Sequence, residues 1–374
     1  MKTSLASEYG TVIYAVCRIS SMNSIGKNAY QVIVLLCVMY ILYLASNGVS
    51  QLVEFTRRYY WLKEKASLAH VYAGEMAPRK ENMPWAVITG GSSGQGRQFA
   101  LQLAQRGFHI VLIGSVRSHP TAEEVRRKGV MCKVILKDFG RAFESTFFDD
   151  IRETLRSLNV AILVNNVGHR TGWKPYHETP PESIRNTIAC GTIVQARLTH
   201  IVMPQLLKRM EDNPTCRSCI IFVTAQCVVP NVLLAQPGSF ENHITVPYLA
   251  TYEASNAFGF YHAASIIAEY TPNHPRLDLL NITPGAVLTE NTHNALTGTP
   301  FAIGAEQFVA NVLRFMGGNV ANGTTSACPG HALSAMLVGL APWRKEGILR
   351  SVGERLSDAY MTKYPAKKNR YAVT

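Results

Sequence analysis

Residues 85–105 read "WAVITGGSSGQGRQFALQLAQ", and this stretch decides the fold. Its first residues form a continuous apolar run with the length of a buried strand, and the residues from Arg97 onward follow a helical pattern. Gly90, Gly94 and Gly96 allow the tight turn between them. A glycine loop before a helix N-terminus presents free N–H groups and a positive dipole end, which favour a pyrophosphate. A ligand-free structural turn is the alternative interpretation.

The same strand–helix alternation continues along the chain. Further apolar runs are "HIVLIG" (109–114), "CKVILKDF" (132–139), "VAILVNNVG" (160–168), "CIIFVT" (219–224) and "LDLLNITPG" (277–285). Continuous apolar strands separated by helices are typical of a parallel sheet that is covered on both faces. The pattern therefore predicts one doubly wound α/β domain over residues 84–330. The sequence shows no internal repeat and no low-complexity tract.

The N-terminal part has the character of a membrane anchor. No charged residue occurs from Asn28 to Val53, and "YQVIVLLCVMYILYLA" (30–45) is almost wholly apolar. This length suits a transmembrane helix at about 28–53 within an N-terminal segment 1–56, followed by a polar connector at 57–83. A cleaved signal peptide and a buried helix are the alternatives. Four Lys/Arg residues follow the apolar segment and three precede it, which favours a cytosolic C-terminal domain.

Composition limits the classes of partner. The chain has 374 residues, 17% of them charged, and a net charge of +12. This charge favours anionic partners such as phosphates, CoA esters or acidic headgroups, or belongs to an uncommitted solvated surface. No Lys/Arg run is interleaved with aromatic residues, so nucleic acid is not a predicted partner. The single CxxC, Cys216 and Cys219, lacks the second ligand pair of a zinc site. No metal is predicted, and eight unevenly spaced cysteines indicate a reducing compartment.

The C-terminal residues 331–374 are predicted to hold one helix and a basic tail. The apolar run "ALSAMLVGLAPW" (332–343) is too short to span a bilayer, so a packed or interfacial helix is expected.

Four motifs together resemble the short-chain dehydrogenase/reductase family. They are the glycine loop at Thr89–Gly96, "NNVG" (165–168), "YEAS" (252–255) and "PGAVLT" (284–289), in the family's order and spacing over about residues 83–289. The N-terminal anchor, with Phe139 following Asp138, narrows the likeness. It is similar to the endoplasmic-reticulum branch of 17β-hydroxysteroid dehydrogenases and very-long-chain 3-oxoacyl-CoA reductases. The resemblance implies a Rossmann fold.

The resemblance also implies a dinucleotide site. Asp138 would sit by the adenine, Asn165 and Gly168 would line the adenosine side, and Thr289 would touch the nicotinamide carboxamide. The full set of expected cofactor residues is Gly90, Ser92, Gly94, Gly96, Arg117, Asp138, Asn165, Gly168, Pro284, Gly285 and Thr289. These positions fit the general rule that ligands bind outside the carboxyl ends of parallel strands.

The residues after the second strand favour NADP(H) over NAD(H). An NAD site places a carboxylate there for the ribose hydroxyls, whereas an NADP site places a cation for the extra phosphate. The stretch "VLIGSVRSHP" (111–120) contains no acid, and Arg117 lies in it. Arg97 is a second candidate cation. A solvated surface role is the alternative for each arginine.

The catalytic tetrad that the resemblance implies is incomplete. In this family a Tyr transfers the proton, a Lys one helical turn later lowers the Tyr pKa, a Ser follows the fifth strand, and an Asn lies on the preceding helix. Tyr252 is retained, but Asn256 stands at the Lys position, Ala225 at the Ser position and Gly191 at the Asn position. No Lys occurs between Lys208 and Lys345, so a shifted register does not restore the cation.

Several residues are candidate substitutes for the missing catalytic groups. Ser239 lies thirteen residues before Tyr252, which is the usual Ser–Tyr spacing, although it follows "QPG" rather than a strand. Thr224 is next to the Ser position, but strand alternation turns it to the other face. The cations that follow "NNVG" (His169, Arg170 and Lys174) are candidates to lean over the crevice or to form a solvated loop.

Two functions follow from this interpretation. The first is reduction of a 3-oxoacyl-CoA or steroid ketone by NADPH, in lipid or steroid metabolism, with Tyr252 as acid and an impaired site. The second is a catalytically silent, nucleotide-binding partner of an active reductase or elongation complex. The resemblance implies the endoplasmic-reticulum membrane as location, with the α/β domain in the cytosol, and allows a homodimer. A structural membrane protein without a cofactor is disfavoured by the intact glycine loop.

Overall fold

The computed structural model describes residues 57–65, 67–76, 83–169, 175–225, 246–290, 301–318 and 322–339, with short pieces between 31 and 56 and between 347 and 358. Ser239, Arg170 and Lys174 lie outside the described residues. The chain divides into two compact units, Met1–Trp61 and Leu62–Thr374.

A seven-stranded parallel sheet forms the centre of the second unit, in the order β3-β2-β1-β4-β5-β6-β9. Its strands are β1 Trp85–Thr89, β2 His109–Gly114, β3 Cys132–Leu136, β4 Val160–Asn165, β5 Ser218–Val223, β6 Leu277–Ile282 and β9 Gly323–Thr325. A separate parallel pair joins β7 Val287–Leu288 to β8 Ile303–Gly304. The strand order reverses between β1 and β4, so the predicted doubly wound fold is confirmed.

Helices connect the strands and cover the sheet. They are α1 Leu68–Ala73, α2 Gly94–Gln105, α3 His119–Arg126, α4 Asp149–Arg156, α5 Pro181–Ile188, α6 Val194–Asp212, α7 Ala250–Tyr270, α8 Ala305–Leu313 and α9 Pro329–Gly339. A π-helical turn, Ala189–Ile193, joins α5 to α6. Helix α9 begins three residues before the apolar run at Ala332, and the expected C-terminal division at residues 331–374 stays a prediction.

The central strands are buried on both faces, which explains why they read as continuous apolar runs. Every residue of β1, β2, β4 and β6 is buried. Strand β3 lies at one edge of the sheet and is only partly buried. The site must therefore lie at the strand ends, because the faces of the inner strands are filled by side chains.

Part of the expected polar connector packs against the sheet. Tyr72 on α1 is fully buried, and its hydroxyl donates to the carboxylate of Asp278 on β6. The main-chain N–H of Gly317 donates to both groups, at 3.1 Å and 3.0 Å. Arg217 pairs with the other oxygen of Asp278 at 2.6 Å. A six-residue helix is marginal in isolation, so these distant contacts stabilise α1.

In the first unit, the described residues between 31 and 56 are helical. Their large apolar side chains are exposed, among them Val32, Leu35, Leu36 and Met39. The chain then forms a π-helical turn at Arg57–Trp61. Within the described part of the chain, no helix combines the length and apolarity needed to cross a bilayer. The anchor expected at 28–53 stays a prediction.

Candidate functional site

The glycine loop after β1 can be built only from glycine at its critical positions. Gly90 and Gly94 have φ angles of 70° and 53°, in the left-handed region that disfavours other residues. A Cβ atom at Gly96 would collide with the carbonyl oxygen of Gly90 and would lie 2.5 Å from Nδ2 of Asn166. Glycine at these positions lets the turn close tightly against Asn166 and Thr289 and leads the main chain into the start of α2. This cradle fits a pyrophosphate.

Thr89 and Asn166 join the ends of β1 and β4 at the point where the strand order reverses. The Thr89 hydroxyl accepts from the N–H groups of Asn166 and Val167, at 2.9 Å and 3.0 Å. The Asn166 side chain in turn donates to the Thr89 carbonyl at 3.0 Å. These bonds hold the crevice edge at a fixed width. Sequence reasoning missed Asn166, although its place in "NNVG" was a signal.

Asn165 and Gly168, both expected to line the adenosine side, occupy different environments. Asn165 is 4% exposed, and its amide donates to Thr199 on α6 at 3.0 Å, so its side chain connects β4 to that helix. Gly168 is exposed, and a Cβ atom there would meet nothing within 4 Å. Open space for a ligand therefore begins after Asn166.

Asp138, the expected adenine neighbour, is exposed after β3. Its carboxylate accepts the N–H of Gly140 at 3.1 Å, and Phe139 beneath it is buried. Asn186 on α5 lies so close to Gly140 that a Cβ atom there would collide with its side chain. Burial, with a smaller effect of the Asp138 charge, raises the pKa of the Cys190 thiol to about 12. That thiol stays neutral.

The two arginines that follow β1 and β2 differ in their partners. Arg97 forms an ion pair with Glu124 on α3 at 2.5 Å. Arg117 is exposed in the turn Val116–Ser118 and has no hydrogen-bond or ion-pair partner within the part of the chain that the structure describes. Of the two, Arg117 is the cation whose charge remains available to a phosphate.

The loop after β6 lies against the glycine loop. Pro284 is buried directly after β6, and Gly285 follows it. A Cβ atom at Gly94 would lie 3.2 Å from the Cβ of Thr289. The expected nicotinamide-side residue and the pyrophosphate turn are thereby adjacent. Ser92 is partly exposed in the glycine loop.

The retained tyrosine lies in the first turn of α7. Tyr252 is partly exposed, and Asn256 lies one helical turn further on. The Asn256 side chain donates to the main-chain carbonyl of Tyr252 at 2.9 Å. Its neutral amide is thus tied to its own helix, and it carries no charge that would lower a tyrosine pKa.

At the serine position, the fifth strand ends without an available hydroxyl. Ala225 is buried and has only a methyl group. The neighbouring Thr224 hydroxyl lies 3.1 Å from the Asn281 side-chain oxygen and 3.2 Å from the Ile282 carbonyl, both on β6. The Thr224 hydroxyl therefore bonds to the neighbouring strand β6.

The asparagine position is closed by helix packing. Gly191 lies within the π-helical turn Ala189–Ile193, and a Cβ atom there would lie 2.7 Å from the Cβ of Ser255 on α7. Two helices approach so closely at this point that no side chain fits. An Asn therefore cannot replace Gly191 without moving α7.

The one described cation candidate after "NNVG" is bound elsewhere. His169 Nε2 lies 3.4 Å from the Ser183 hydroxyl on α5, and burial lowers the pKa of His169. The side chain is consequently neutral and supplies no positive charge to the crevice.

The comparisons with known proteins agree with this geometry. A sequence model of the family described as short chain dehydrogenase matches residues 84–226. The very-long-chain 3-oxoacyl-CoA reductase of Meyerozyma guilliermondii is 30% identical over 276 residues, which cover 72% of this chain and 73% of that protein. The chain belongs to the short-chain dehydrogenase/reductase family. The similarity to the very-long-chain 3-oxoacyl-CoA reductase of Aspergillus clavatus is 30% over 248 residues, 65% of this chain and 64% of that protein.

Solved structures show the same short-chain dehydrogenase fold. A short-chain dehydrogenase from Sphingobium yanoikuyae in complex with NADPH aligns with a TM-score of 0.53, at 21% identity, over 71% of this chain and 95% of that one. A 7β-hydroxysteroid dehydrogenase aligns with a TM-score of 0.56, at 18% identity, over 72% of this chain and 96% of the other. At such identities the likeness concerns the fold.

One titratable group in this short-chain dehydrogenase was not expected from its sequence. Glu253 directly follows Tyr252, and its carboxylate accepts the N–H of Val246 at 2.6 Å. Burial raises the pKa of Glu253 to about 7, although the Val246 bond lowers it. A Glu in the first turn of a helix gives little signal of burial, because acids are common there on exposed surfaces.

The described residues contain no cluster of three His, Cys, Asp or Glu side chains that would hold a metal ion. Cys216 and Cys219 are buried free thiols. Burial raises the pKa of both, so neither is a thiolate ligand at neutral pH.

Proposed function

We propose that this chain is a membrane-anchored, NADP(H)-binding short-chain dehydrogenase of the very-long-chain 3-oxoacyl-CoA reductase branch that binds its cofactor with little or no turnover. One observation carries the proposal. The glycine cradle is complete, whereas Asn256 stands where the family's lysine activates Tyr252 and bonds to the Tyr252 carbonyl instead. An intact nucleotide site beside a tyrosine that has lost its lysine favours binding over catalysis.

The proposal that the chain binds NADP(H) rests on Arg117 and the glycine loop. A bound NADPH would supply a hydride, and its 2′-phosphate suits Arg117, which is exposed and has no ion-pair partner among the described residues. Gly90, Gly94 and Gly96 form the tight turn that leads into α2, whose N-terminal N–H groups would bind the pyrophosphate. Asp138 is exposed two residues after β3 ends and would face the adenine.

The loss of catalysis follows from proton chemistry. A tyrosine without a neighbouring cation has a pKa near 10, so Tyr252 is a weak acid at neutral pH. General acid catalysis contributes about 10² to 10⁴ in rate, and one oxyanion donor about 10² to 10³. Ala225 removes such a donor. The two losses together leave a reductase that is slower by several orders of magnitude.

The substrate class follows from the relatives. Those compared above are named very-long-chain 3-oxoacyl-CoA reductases. We therefore propose a 3-oxoacyl-CoA, or a steroid ketone of similar hydrophobicity, as the molecule that the crevice accommodates or that an associated reductase converts. The basic chain, with its net charge of +12, suits the CoA phosphates.

The location we propose is the endoplasmic-reticulum membrane, with the α/β unit in the cytosol. The uncharged run from Asn28 to Val53 and the exposed apolar side chains of its described residues support an anchor. Apolar chains that lack a protein partner are stable in lipid and unfavourable in water.

An apolar surface on α5 and α7 supports a protein partner. Phe258 and Tyr261 on α7 are 42% and 47% exposed. A pocket of about 370 Å³ lies nearby, lined by residues of α5, α7 and the turns beside them, including Tyr176, Ile188 and Ala254. Exposed aromatic groups around a pocket are typical of interaction sites. A second copy of the chain or an active reductase of an elongation complex would bury them.

The full chain, purified in detergent, tests the proposal. We expect NADPH to bind at micromolar concentration, and a long-chain 3-oxoacyl-CoA to oxidise it at a rate close to background. The control is Gly96→Ala, whose Cβ collides with the Gly90 carbonyl and should abolish binding. Absence of NADPH binding to the unsubstituted chain would refute the proposal. Turnover that Tyr252→Phe abolishes would instead establish a working reductase with a rearranged site.

A further inference from the structure

His331 on α9 contacts the loop that follows β6 through both of its ring nitrogens. The side chain is 1% exposed. Its Nδ1 accepts the main-chain N–H of Gly285 at 3.2 Å, and its Nε2 lies 3.2 Å from the carbonyl oxygen of Ala286. One tautomer satisfies both contacts, with Nδ1 as acceptor and Nε2–H as donor. The ring therefore bridges two successive residues of a loop expected to contact the cofactor.

The surroundings of His331 keep it in that form. Burial lowers the pKa of His331, so the imidazole is neutral. The ring of Phe308 on α8 packs against it, with centroids 6.0 Å apart. Gly330 lets α9 approach Phe301 closely, since a Cβ atom there would lie 2.8 Å from the Phe301 Cβ. The imidazole is consequently held on both sides and acts as a spacer of fixed length.

The bridged loop forms one wall of the cofactor crevice. It leaves β6 at the carboxyl edge of the sheet and reaches Thr289, which packs against Gly94 of the glycine loop. The Ala286 carbonyl also accepts the N–H of Ile303 at 3.0 Å, next to the β7–β8 pair. One carbonyl thus receives two donors, one from β8 and one from α9. Only the His331 contact also restrains the neighbouring Gly285.

We propose that His331 is a positioning residue for NADP(H) binding, which fixes the Gly285–Ala286 backbone so that Thr289 stays against the glycine loop. The inference rests on the proposed cofactor site and adds a residue outside all four family motifs. A loop that is already ordered avoids the entropy cost of ordering during binding. Loss of both hydrogen bonds is expected to weaken the affinity about tenfold.

Three substitutions separate the two contacts. Leu at 331 removes both of these bonds together with the bond that His331 makes to the Phe301 backbone. Asn places an amide oxygen near the Nδ1 position and keeps the Gly285 bond, whereas Gln places an amide nitrogen near the Nε2 position and keeps the Ala286 bond. The matched control is His109→Leu. His109 is also buried, and its Nδ1 accepts the N–H of Met131 at 3.1 Å. It is the first residue of β2, at the amino ends of the strands, whereas the cofactor crevice is at their carboxyl ends.

The test compares NADPH dissociation constants, thermal midpoints and hydrogen exchange of the 277–290 region for the full-length variants. We expect His331→Leu to weaken NADPH binding about tenfold or more and to raise exchange at 284–289, and His331→Asn to restore most of the affinity. His109→Leu should lower the thermal midpoint without changing the affinity. Unchanged affinity in His331→Leu, or equal losses in the Leu and Asn variants, overturns the inference alone. An unsubstituted chain that binds no NADPH overturns the proposed function and this inference together.

Discussion

Asn256 donates its side-chain amide to the main-chain carbonyl of Tyr252, 2.9 Å away, on one face of α7. The pair keeps the one-turn spacing that the family uses to bring a cation under its tyrosine. The helix and the spacing are present, and the charge is absent. The proposed loss of activity therefore rests on side-chain chemistry at that position, so substitution can test it.

Restoring the cation should raise activity. Asn256→Lys places an ammonium group one turn after Tyr252, and Ala225→Ser adds the hydroxyl after β5. We expect the double variant to oxidise NADPH with a 3-oxoacyl-CoA at least about 10²-fold faster than the unsubstituted chain, because general acid catalysis has that magnitude. Initial rates measured by NADPH absorbance check this. Tyr252→Phe in the same background is the control and should remove the gain. A rate that stays at background in the double variant contradicts the assignment of these positions.

The asparagine position should resist repair. Gly191→Ala introduces a Cβ 2.7 Å from that of Ser255, and overpacking of this kind costs about 1 to 3 kcal/mol. The helical preference of Ala offsets about 1 kcal/mol of this loss. Urea unfolding should show a net decrease in stability. Gly168→Ala is the matched control, because its Cβ meets nothing within 4 Å, and it should change the free energy of unfolding little. Equal effects of the two substitutions would mean that α7 moves freely away from the π-helical turn.

The choice of cofactor should depend on one arginine more than on the other. Arg117→Ala should weaken NADPH binding about tenfold and leave NADH binding unchanged, since only the 2′-phosphate distinguishes the two cofactors. Arg97→Ala is the comparison, and its effect should be smaller because Arg97 is paired with Glu124. Titrations with both cofactors give the ratio of the NADPH and NADH dissociation constants for each variant. A larger loss for Arg97→Ala would reassign the phosphate contact.

Stability should fall between pH 4.5 and 7 because of Glu253. Its folded pKa of about 7 lies above the ordinary value of 4.5, so the folded chain binds the proton more tightly than the unfolded chain. The stabilisation is complete below pH 4.5 and is lost as pH rises through 7. Each pKa unit corresponds to about 1.4 kcal/mol before solvent screening reduces it at this partly exposed site. Glu253→Gln keeps an oxygen for the Val246 N–H and should flatten this part of the profile. Urea unfolding at several pH values gives the free energy of unfolding as a function of pH. If Glu253→Gln leaves the slope of that curve between pH 4.5 and 7 unchanged, the pKa of Glu253 is not raised in the folded chain.

Much of the sheet was predictable because its strands are buried on both faces. The six apolar runs found in the sequence all form strands, since an inner parallel strand needs an unbroken apolar sequence. Strand β9 and the β7–β8 pair were missed. These strands are two or three residues long. The sequence of β9, Gly323–Thr325, has no apolar run, and this segment is a strand because it pairs with β6. Their pairing depends on distant partners that local patterns do not encode.

The parts of the site that depend on local backbone conformation were predictable from the sequence. The parts that depend on contacts between distant residues were less predictable. The glycine loop is local, so its spacing alone indicated the turn. Asn166 and His331 work through residues 77 and 46 positions away, at Thr89 and Gly285. Gly191 gave no sign that Ser255 closes its position, because the contact forms only when two helices pack. Isolated histidines and glycines have many roles, and sequence alone does not choose among them.

The hydrogen bond from the Gly317 N–H to the Tyr72 hydroxyl joins residues that are 245 positions apart in the chain. During synthesis, α1 is made long before Asp278 and Gly317, so the Tyr72 hydroxyl lacks these two partners until late in translation. Contacts of such sequence separation close late and slow the folding of a domain. The α/β unit therefore cannot complete its fold before the segment around Gly317 has been synthesised. Until then, the side of α1 that packs against this segment lacks part of its native contacts.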